Sequence, residues 1–271
     1  MLSRIIDPLE PGVAPFFDAH PPPKALEILG TIPVGRRIGI VGSRRGSVRG
    51  LEVAAQLADG LAKHGIVVVS GGAIGIDTAA LRSATQAGGR CVVVLPTSVD
   101  DPLPRQNREL FARIVEAGGA LVAESGRAIT RGAFLERNRF VAAFSEALVV
   151  VEAAERSGTR ATVRVARSLG RPVGAVPWSV EHPLAAGCFD VLRAGGRLVT
   201  GAADALALIG VEPRSAERPS IVEEIERAGG SAERLAALRG VPIAAVLAEL
   251  AALELEGVVR RQGSRWIADS S

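Results

Sequence analysis

The sequence predicts a doubly wound α/β domain followed by a small winged-helix module. Short apolar, mostly β-branched runs alternate with amphipathic stretches of helical period, which is the pattern of strands and helices in alternation. The runs are apolar almost throughout, as in parallel strands that are covered on both faces. With 271 residues and 48% hydrophobic residues, the chain is long enough for a main domain and a second, smaller one.

The predicted strands of the main domain share this apolar, bounded character. They are Ile38–Gly42, Ile66–Ser70, Cys91–Leu95, Ala120–Ala123, Ala147–Glu152 and Pro172–Val176, with Arg197–Thr200 as a candidate last strand. Because helical stretches separate them, we expect a mostly parallel sheet with helices on both faces. The main domain is predicted to span residues 35–210.

The two ends of this domain differ from it in composition. Residues 1–34 are rich in proline and are predicted to form an N-terminal arm outside the folded unit. Residues 211–219, "VEPRSAERP", are polar and bounded by proline, and are predicted to be a linker.

The pattern of residues 220–271 predicts three helices and a β-hairpin, the order of a winged helix. Ser220 and Glu223 fit a capping box at the start of the first helix. The third helix, between Pro242 and Val259, contains no Lys, Arg, Asn, Gln or Ser, so it lacks the side chains that read bases in a major groove. A protein-contact or regulatory role is therefore expected for this module rather than operator recognition.

Composition excludes several other classes of protein. The net charge of +3 does not by itself indicate nucleic acid, and the aromatic content of 3% limits binding by base stacking. Two cysteines, the absence of a signal peptide and the absence of a long apolar segment predict a cytoplasmic protein. The histidines are isolated from other metal ligands, so we expect no metal site and no cofactor.

Two glycine-containing segments follow the first two predicted strands of the main domain. "GIVGSRRGS" matches neither a dinucleotide fingerprint nor a P-loop, and it contributes Gly42, Ser43 and Arg44 as candidate phosphate-binding residues. In "SGGAIGID", the loop residues lack side-chain bulk and permit close approach to an anion, with Ser70, Gly71, Gly72 and Gly75 as the candidates. Asp77 fits a helix cap or a positioning role.

A third polar cluster lies in "GAFLERNRF". Arg137, Asn138 and Arg139 stand together before an apolar helix, where cationic side chains and the helix dipole favour an anion. The alternative for each arginine is a solvated turn or helix start. Glu124 and Glu152 end strands at the same sheet edge and are expected to form structural ion pairs with arginines rather than an acid–base pair.

Six segments taken in order resemble the DNA-processing protein A family, also called DprA or Smf. They are "GSRR", "SGGAIGID", "LPRQNREL", "FLERNRFVAAFS", "VVVEAAERSGTRAT" and "GRPVGAVP", and the resemblance covers residues 35–210. It implies an extended Rossmann-like domain that binds single-stranded DNA, forms a homodimer and loads a RecA-type recombinase during natural transformation, without catalytic turnover. It also adds Arg105 to the candidate DNA-binding residues. Leu81 and Leu103 stand where the family usually has His and Tyr.

Two other functions remain open on the sequence. A glycine loop of this kind also occurs in nucleoside-monophosphate phosphoribohydrolases with the pattern "PGGxGTxxE", although this chain lacks the Thr and the Glu. A transcriptional regulator would require a base-reading third helix in the winged-helix module. We expect DNA binding that is electrostatic, tolerant of sequence and strongly dependent on salt.

Overall fold

The computed structural model describes residues 3–6, 12–126, 132–155, 157–212 and 220–269. The chain divides into two compact units, Met1–Pro213 and Arg214–Ser271. Residues 213–219, which include most of the predicted linker, lie outside the described residues.

The described part of the first unit is built on one nine-stranded sheet in the order β1-β2-β6-β5-β4-β3-β7-β8-β9. The strands are β1 Arg4–Ile6, β2 Leu26–Gly30, β3 Arg37–Val41, β4 Val67–Ser70, β5 Cys91–Leu95, β6 Ala120–Glu124, β7 Ala147–Val150, β8 Val173–Ala175 and β9 Arg197–Leu198. All neighbouring pairs from β6 to β9 are parallel, whereas β2 pairs antiparallel with both β1 and β6. The predicted doubly wound, mostly parallel sheet is confirmed.

Helices cover both faces of this sheet. They are α1 Val48–Lys63, α2 Ile76–Gln86, α3 Arg108–Glu116, α4 Ala133–Glu136, α5 Asn138–Phe144, α6 Thr159–Ser168, α7 Ala186–Arg193 and α8 Ala202–Ala207. One core packs α1, α2, α3 and α8 on the sheet, and a second core packs α5, α6 and α7 on the opposite face. The central strands are therefore buried on both sides, which is why their sequences lack polar alternation.

The described part of residues 1–34 belongs to this unit and is not a separate arm. β2 adds an antiparallel strand to the sheet beside β6. Phe16, in a 3-10 helix at Ala14–Asp18, is fully buried and stacks on Phe144 with 4.0 Å between the ring centroids. Among the described prolines of this segment, Pro15 lies in the 3-10 helix, and Pro21, Pro22 and Pro23 lie between that helix and β2. The sequence expectation for residues 12–34 is therefore wrong.

The second unit has the helix and strand order predicted for a winged helix. It contains α9 Ser220–Arg227, α10 Ala232–Arg239, α11 Ile243–Leu255 and the hairpin β10 Val259–Gln262 with β11 Arg265–Ala268. Its own core includes Leu235, Val246 and Trp266. The side chains of the predicted capping box at Ser220 and Glu223 lie outside the described part, whereas Ser231 caps α10 by accepting the amide hydrogen of Arg234.

Within the described residues, no single helix has the length and apolar composition needed to cross a membrane. Only α10 and α11 taken together pass that test, and they are bent by 118° at the break between them.

Candidate functional site

Segments that follow β3, β4, β6 and β7 meet at the carboxyl edge of the sheet and enclose one cleft. Its volume is about 410 Å³. In an open α/β sheet this edge is where ligands bind. The described residues that line it are Val41, Gly42, Ser43, Arg44, Ala73, Asp77, Phe134, Leu135, Arg137, Asn138, Ala154, Ser157, Gly158, Thr159 and Thr162. Three separate predicted motifs therefore contribute side chains to the same cavity.

Arg137 is the deepest cation of the cleft. Its residue exposure is only 6%, and its Nε has no hydrogen-bond partner among the described residues. Burial lowers the pKa of Arg137 to about 10, while the nearby Asp77 carboxylate raises it and the Arg44 guanidinium lowers it further. The group remains protonated at neutral pH, so the cleft holds a buried charge with a free donor.

Asp77 is the only carboxylate among the described lining residues. Burial raises the pKa of Asp77, and this effect is opposed by the charge of Arg137 and by the amide of Ala73, which donates to Oδ2 at 3.3 Å. The carboxylate at the start of α2 therefore faces inwards, towards the loop and Arg137. This position agrees with the positioning role expected from the sequence.

Arg44 supplies the second cation of the cleft from the β3–α1 loop. The residue is exposed, and its guanidinium lies 4.8 Å from the centroid of the Phe134 ring. Arg44 and Arg137 line the same cleft, and the like charge of Arg44 lowers the pKa of Arg137. An anion placed between them would relieve that repulsion.

The glycines of the β4–α2 loop make close packing possible. A Cβ built on Gly71 would lie 1.4 Å from Nη1 of Arg137, so the guanidinium rests directly on this residue. Gly75 has φ +95°, and a Cβ there would lie 2.4 Å from the carbonyl oxygen of Ser43. Gly71 and Gly72 are buried, and neither lines the cleft. These glycines thus position Arg137 and the Arg44 loop rather than facing the cavity.

Ser70 and Asn107 fix the β4–α2 loop by hydrogen bonds. Ser70 is fully buried and donates its hydroxyl hydrogen to the carbonyl oxygen of Ile40 at 2.7 Å, so its predicted contact with a ligand is not supported by its position. Asn107 donates from Nδ2 to the carbonyl oxygen of Gly72 at 3.0 Å and to Oγ1 of Thr78 at 2.7 Å. Its role was not predicted, because it depends on a contact across 35 residues of sequence.

A buried carboxylate anchors the Arg44 loop. Glu152, fully buried after β7, accepts hydrogen bonds from the amide of Ser47 at 2.9 Å and from its hydroxyl at 2.5 Å. Nε2 of His182 lies 2.7 Å from the same carboxylate. The sequence predicted an ion pair for Glu152 with an arginine, and the partner is instead a histidine on a loop that precedes α7.

Asn138, predicted as a site residue, lines the cleft and donates to the carbonyl oxygen of Gly158 at 3.3 Å. Arg139 does not line it. Its guanidinium pairs with Glu124 at 2.9 Å and donates to the carbonyl oxygens of Pro21 and Glu136. The expected structural ion pair of Glu124 is thereby confirmed, and the prediction that Arg139 binds phosphate is corrected.

The remaining predicted residues lie outside the cleft. Arg105 is exposed on the 3-10 turn that carries Asn107 and does not line the cavity. Phe134 is the one aromatic residue among the described lining of the cleft. Phe140 is buried in the core, and Trp178 donates its indole hydrogen to the carbonyl oxygen of Val151. Leu81 is fully buried in the core. Among the described residues, no group of three or more His, Cys, Asp or Glu is arranged to hold a metal ion.

Comparison with known families identifies the family of this chain. The sequence model of the family described as DNA recombination-mediator protein A matches residues 15–210, and the DprA winged helix domain matches residues 206–264. The chain belongs to the DprA family. The match begins at residue 15, ahead of β2, which agrees with the finding that this segment is part of the fold.

Three relatives give the degree of similarity. A DNA processing protein DprA of Mycobacterium tuberculosis is 40% identical over 249 residues, which are 85% of this chain and 64% of that protein, so the chain spans less than two thirds of the length of this relative. The crystal structure of DprA from Streptococcus pneumoniae superimposes with a TM-score of 0.66 and 31% identity, over 75% of this chain and 73% of the other. A structure of Helicobacter pylori DprA, described for its single-stranded DNA binding mode, gives a TM-score of 0.64 and 26% identity over 74% and 92%.

Proposed function

We propose that this DprA-family chain binds single-stranded DNA and that the sugar-phosphate backbone lies in the cleft at the carboxyl edge of the sheet. The observation that carries the proposal is the pair of guanidinium groups at Arg44 and Arg137. They are close enough to influence each other, and the buried Nε of Arg137 has no acceptor among the described residues. A phosphate between them supplies the missing negative charge.

The chemistry of the lining favours a polyanion of variable base sequence. The described lining of the cleft offers cations, hydroxyls such as those of Ser43, Ser157 and Thr159, and one aromatic ring, that of Phe134. Such a site contacts phosphate and sugar and provides one platform for a base, so it carries little sequence information. The H. pylori relative has a single-stranded DNA binding mode, which supports the same ligand here.

Hydrolysis of a nucleotide has less support. The only carboxylate among the described lining residues, Asp77, is buried against the Arg137 guanidinium and so is not placed as a free base. We therefore propose a binding role without turnover. Loading of a RecA-type recombinase, homodimer formation and a role in DNA uptake extend this proposal on the strength of the family resemblance.

The test compares ligands and variants by fluorescence anisotropy. We expect oligo-dT to bind more tightly than a duplex or mononucleotides, and its affinity to fall between a low and a high salt concentration. Arg44→Ala and Arg137→Lys should each weaken oligo-dT binding about tenfold, since a hydrogen bond to a charged group contributes about 1.5 kcal/mol. Arg90→Ala is the matched control, because Arg90 is exposed at the amino end of β5, at the opposite edge of the sheet. Oligo-dT affinity that is the same in all three variants and the wild type would contradict the proposal.

A further inference from the structure

A second groove adjoins the cleft. It lies between α6 and α7, with a volume of about 420 Å³. Its lining includes the apolar side chains of Val150, Val163 and Val191. Thr159, the first residue of α6, lines both this groove and the cleft, so the two cavities adjoin at this residue.

One face of α6 supplies a row of arginines to this groove. Arg160, Arg164 and Arg167 follow one another at spacings of four and three residues, which places them on the same side of a helix over about 10 Å. The described lining contains a single carboxylate, that of Asp190. The groove therefore carries a surplus of positive charge.

The three arginines differ in the contacts that their side chains make within the fold. Arg160 pairs with Asp190 at 2.6 Å, and Nη2 of Arg167 donates to the carbonyl oxygen of Val191 at 2.9 Å. Arg164 is exposed and makes neither an ion pair nor a side-chain hydrogen bond with any described residue. The contact of Arg167 uses Nη2 and the residue is exposed, so both Arg164 and Arg167 present guanidinium N–H groups to an external anion.

We propose that a single DNA strand leaving the cleft continues along α6, with phosphates at Arg164 and Arg167. The inference rests on the proposed function of the cleft and extends it to a longer strand. A DNA strand is favoured over an acidic protein because the groove begins where the cleft ends, at Thr159, and both cavities present guanidinium groups. The cleft binds the first few nucleotides, and the α6 groove adds affinity only for strands long enough to reach it.

The experiment measures the affinity of the full chain for oligo-dT of about four and of about twenty nucleotides at several salt concentrations. We expect Arg164→Ala to leave binding of the short strand unchanged, to weaken binding of the long strand about threefold to fivefold, and to reduce its salt slope by about 0.7. The double variant Arg164→Ala/Arg167→Ala should reduce that slope by about 1.4. Arg90→Ala is again the control, and thermal melting confirms that each variant is folded.

The outcomes separate this inference from the function of the cleft. If Arg44→Ala weakens binding of both strands while Arg164→Ala and the double variant behave as Arg90→Ala, the cleft function stands and the α6 inference is overturned, leaving these arginines to an acidic protein partner. If the wild type binds neither strand, the cleft function itself fails. Loss confined to the long strand in the Arg164 variant supports the inference, whereas equal loss for both strands contradicts it.

Discussion

Gly71 shows how a residue without a side chain determines the position of Arg137, the buried cation of the cleft. Its Cα faces the Arg137 guanidinium so closely that an added Cβ would lie 1.4 Å from Nη1. We expect Gly71→Ala to displace Arg137 and to weaken oligo-dT binding about tenfold, close to the effect of Arg137→Lys. Gly201→Ala is the control, because a Cβ there meets nothing within 4 Å. Unchanged affinity in Gly71→Ala would show that the observed position of Arg137 is not needed for binding.

Asp77 gives a second prediction, in which stability and affinity change in the same direction. Because burial raises its pKa above the ordinary value of 3.8, the folded protein holds the proton at pH values where the unfolded chain has lost it. The contribution of Asp77 to the free energy of unfolding therefore falls as the pH rises above 3.8. We expect Asp77→Asn to be at least as stable as the wild type at pH 7, and its advantage to shrink as the pH is lowered towards 4.

Urea unfolding of both proteins between about pH 4 and pH 7 measures this difference. The same variant removes one negative charge from the cleft, so its affinity for oligo-dT should rise. An Asp77→Asn protein that is less stable than the wild type at pH 7, by an amount that grows with pH, would contradict this account of the buried pair.

At the scale of elements, the β3–α1 loop is held by its own helix cap. Ser47 caps α1 by accepting the amide hydrogen of Gly50 at 2.9 Å, and it donates its hydroxyl hydrogen to Glu152. Ser47→Ala should cost about 1 kcal/mol of stability and should also weaken oligo-dT binding, because the loop that carries Arg44 loses its anchor.

The second unit offers a matched control for this prediction. Ser231 caps α10 in the same manner, by accepting the amide hydrogen of Arg234 at 3.3 Å. Ser231→Ala should cost a similar free energy of unfolding in that unit and leave DNA affinity unchanged. Equal loss of affinity in the two variants would mean that the effect comes from general destabilisation and not from the Arg44 loop.

The sequence predicts the parallel strands well and the antiparallel addition poorly, for a physical reason. Strands such as β4 and β5 are buried on both faces, and their continuous apolar runs are visible locally. β2 follows a proline-rich segment, and its pairing with β6 joins it to a strand almost a hundred residues later. A contact at that distance leaves no local pattern.

In the candidate site, too, the sequence predicts the features that have a local pattern and misses those that depend on distant contacts. Arg44, Asp77, Arg137 and Asn138 are brought together as predicted, because residues that follow parallel strands meet at one edge. The prediction for Arg139 is wrong because it lies two positions from Arg137, and on a helix such side chains point about 200° apart. The sequence predicts Glu152 only as an ion-pair former, because its contact with Ser47 spans 105 residues of sequence.

At the scale of the whole molecule, the winged-helix unit is expected to contribute little to DNA affinity. In α11, Leu247 and Leu255 are exposed, and the helix carries no Lys, Arg, Asn or Gln to contact phosphates or bases. Arg260 lies 3.5 Å from Asp269, and Arg261 donates to the carbonyl oxygen of Gly263. The double variant Arg260→Ala/Arg261→Ala should therefore bind oligo-dT within about twofold of the wild type, as measured by anisotropy. A loss as large as that of Arg44→Ala would assign the DNA site to this unit instead.

The most direct test of the proposed site is to locate bound DNA on the protein by photo-crosslinking. Oligo-dT that carries a photoreactive thymine analogue is irradiated with the full chain, and the crosslinked tryptic peptides are identified by mass spectrometry. We predict a crosslink in the peptide of residues 132–137, because it contains Phe134, the aromatic ring that faces the cleft beside Arg44. The crosslink should weaken in Arg44→Ala and persist in Arg90→Ala. Crosslinks confined to residues 220–269, or to the amino edge of the sheet, would contradict the central claim that the strand lies in this cleft.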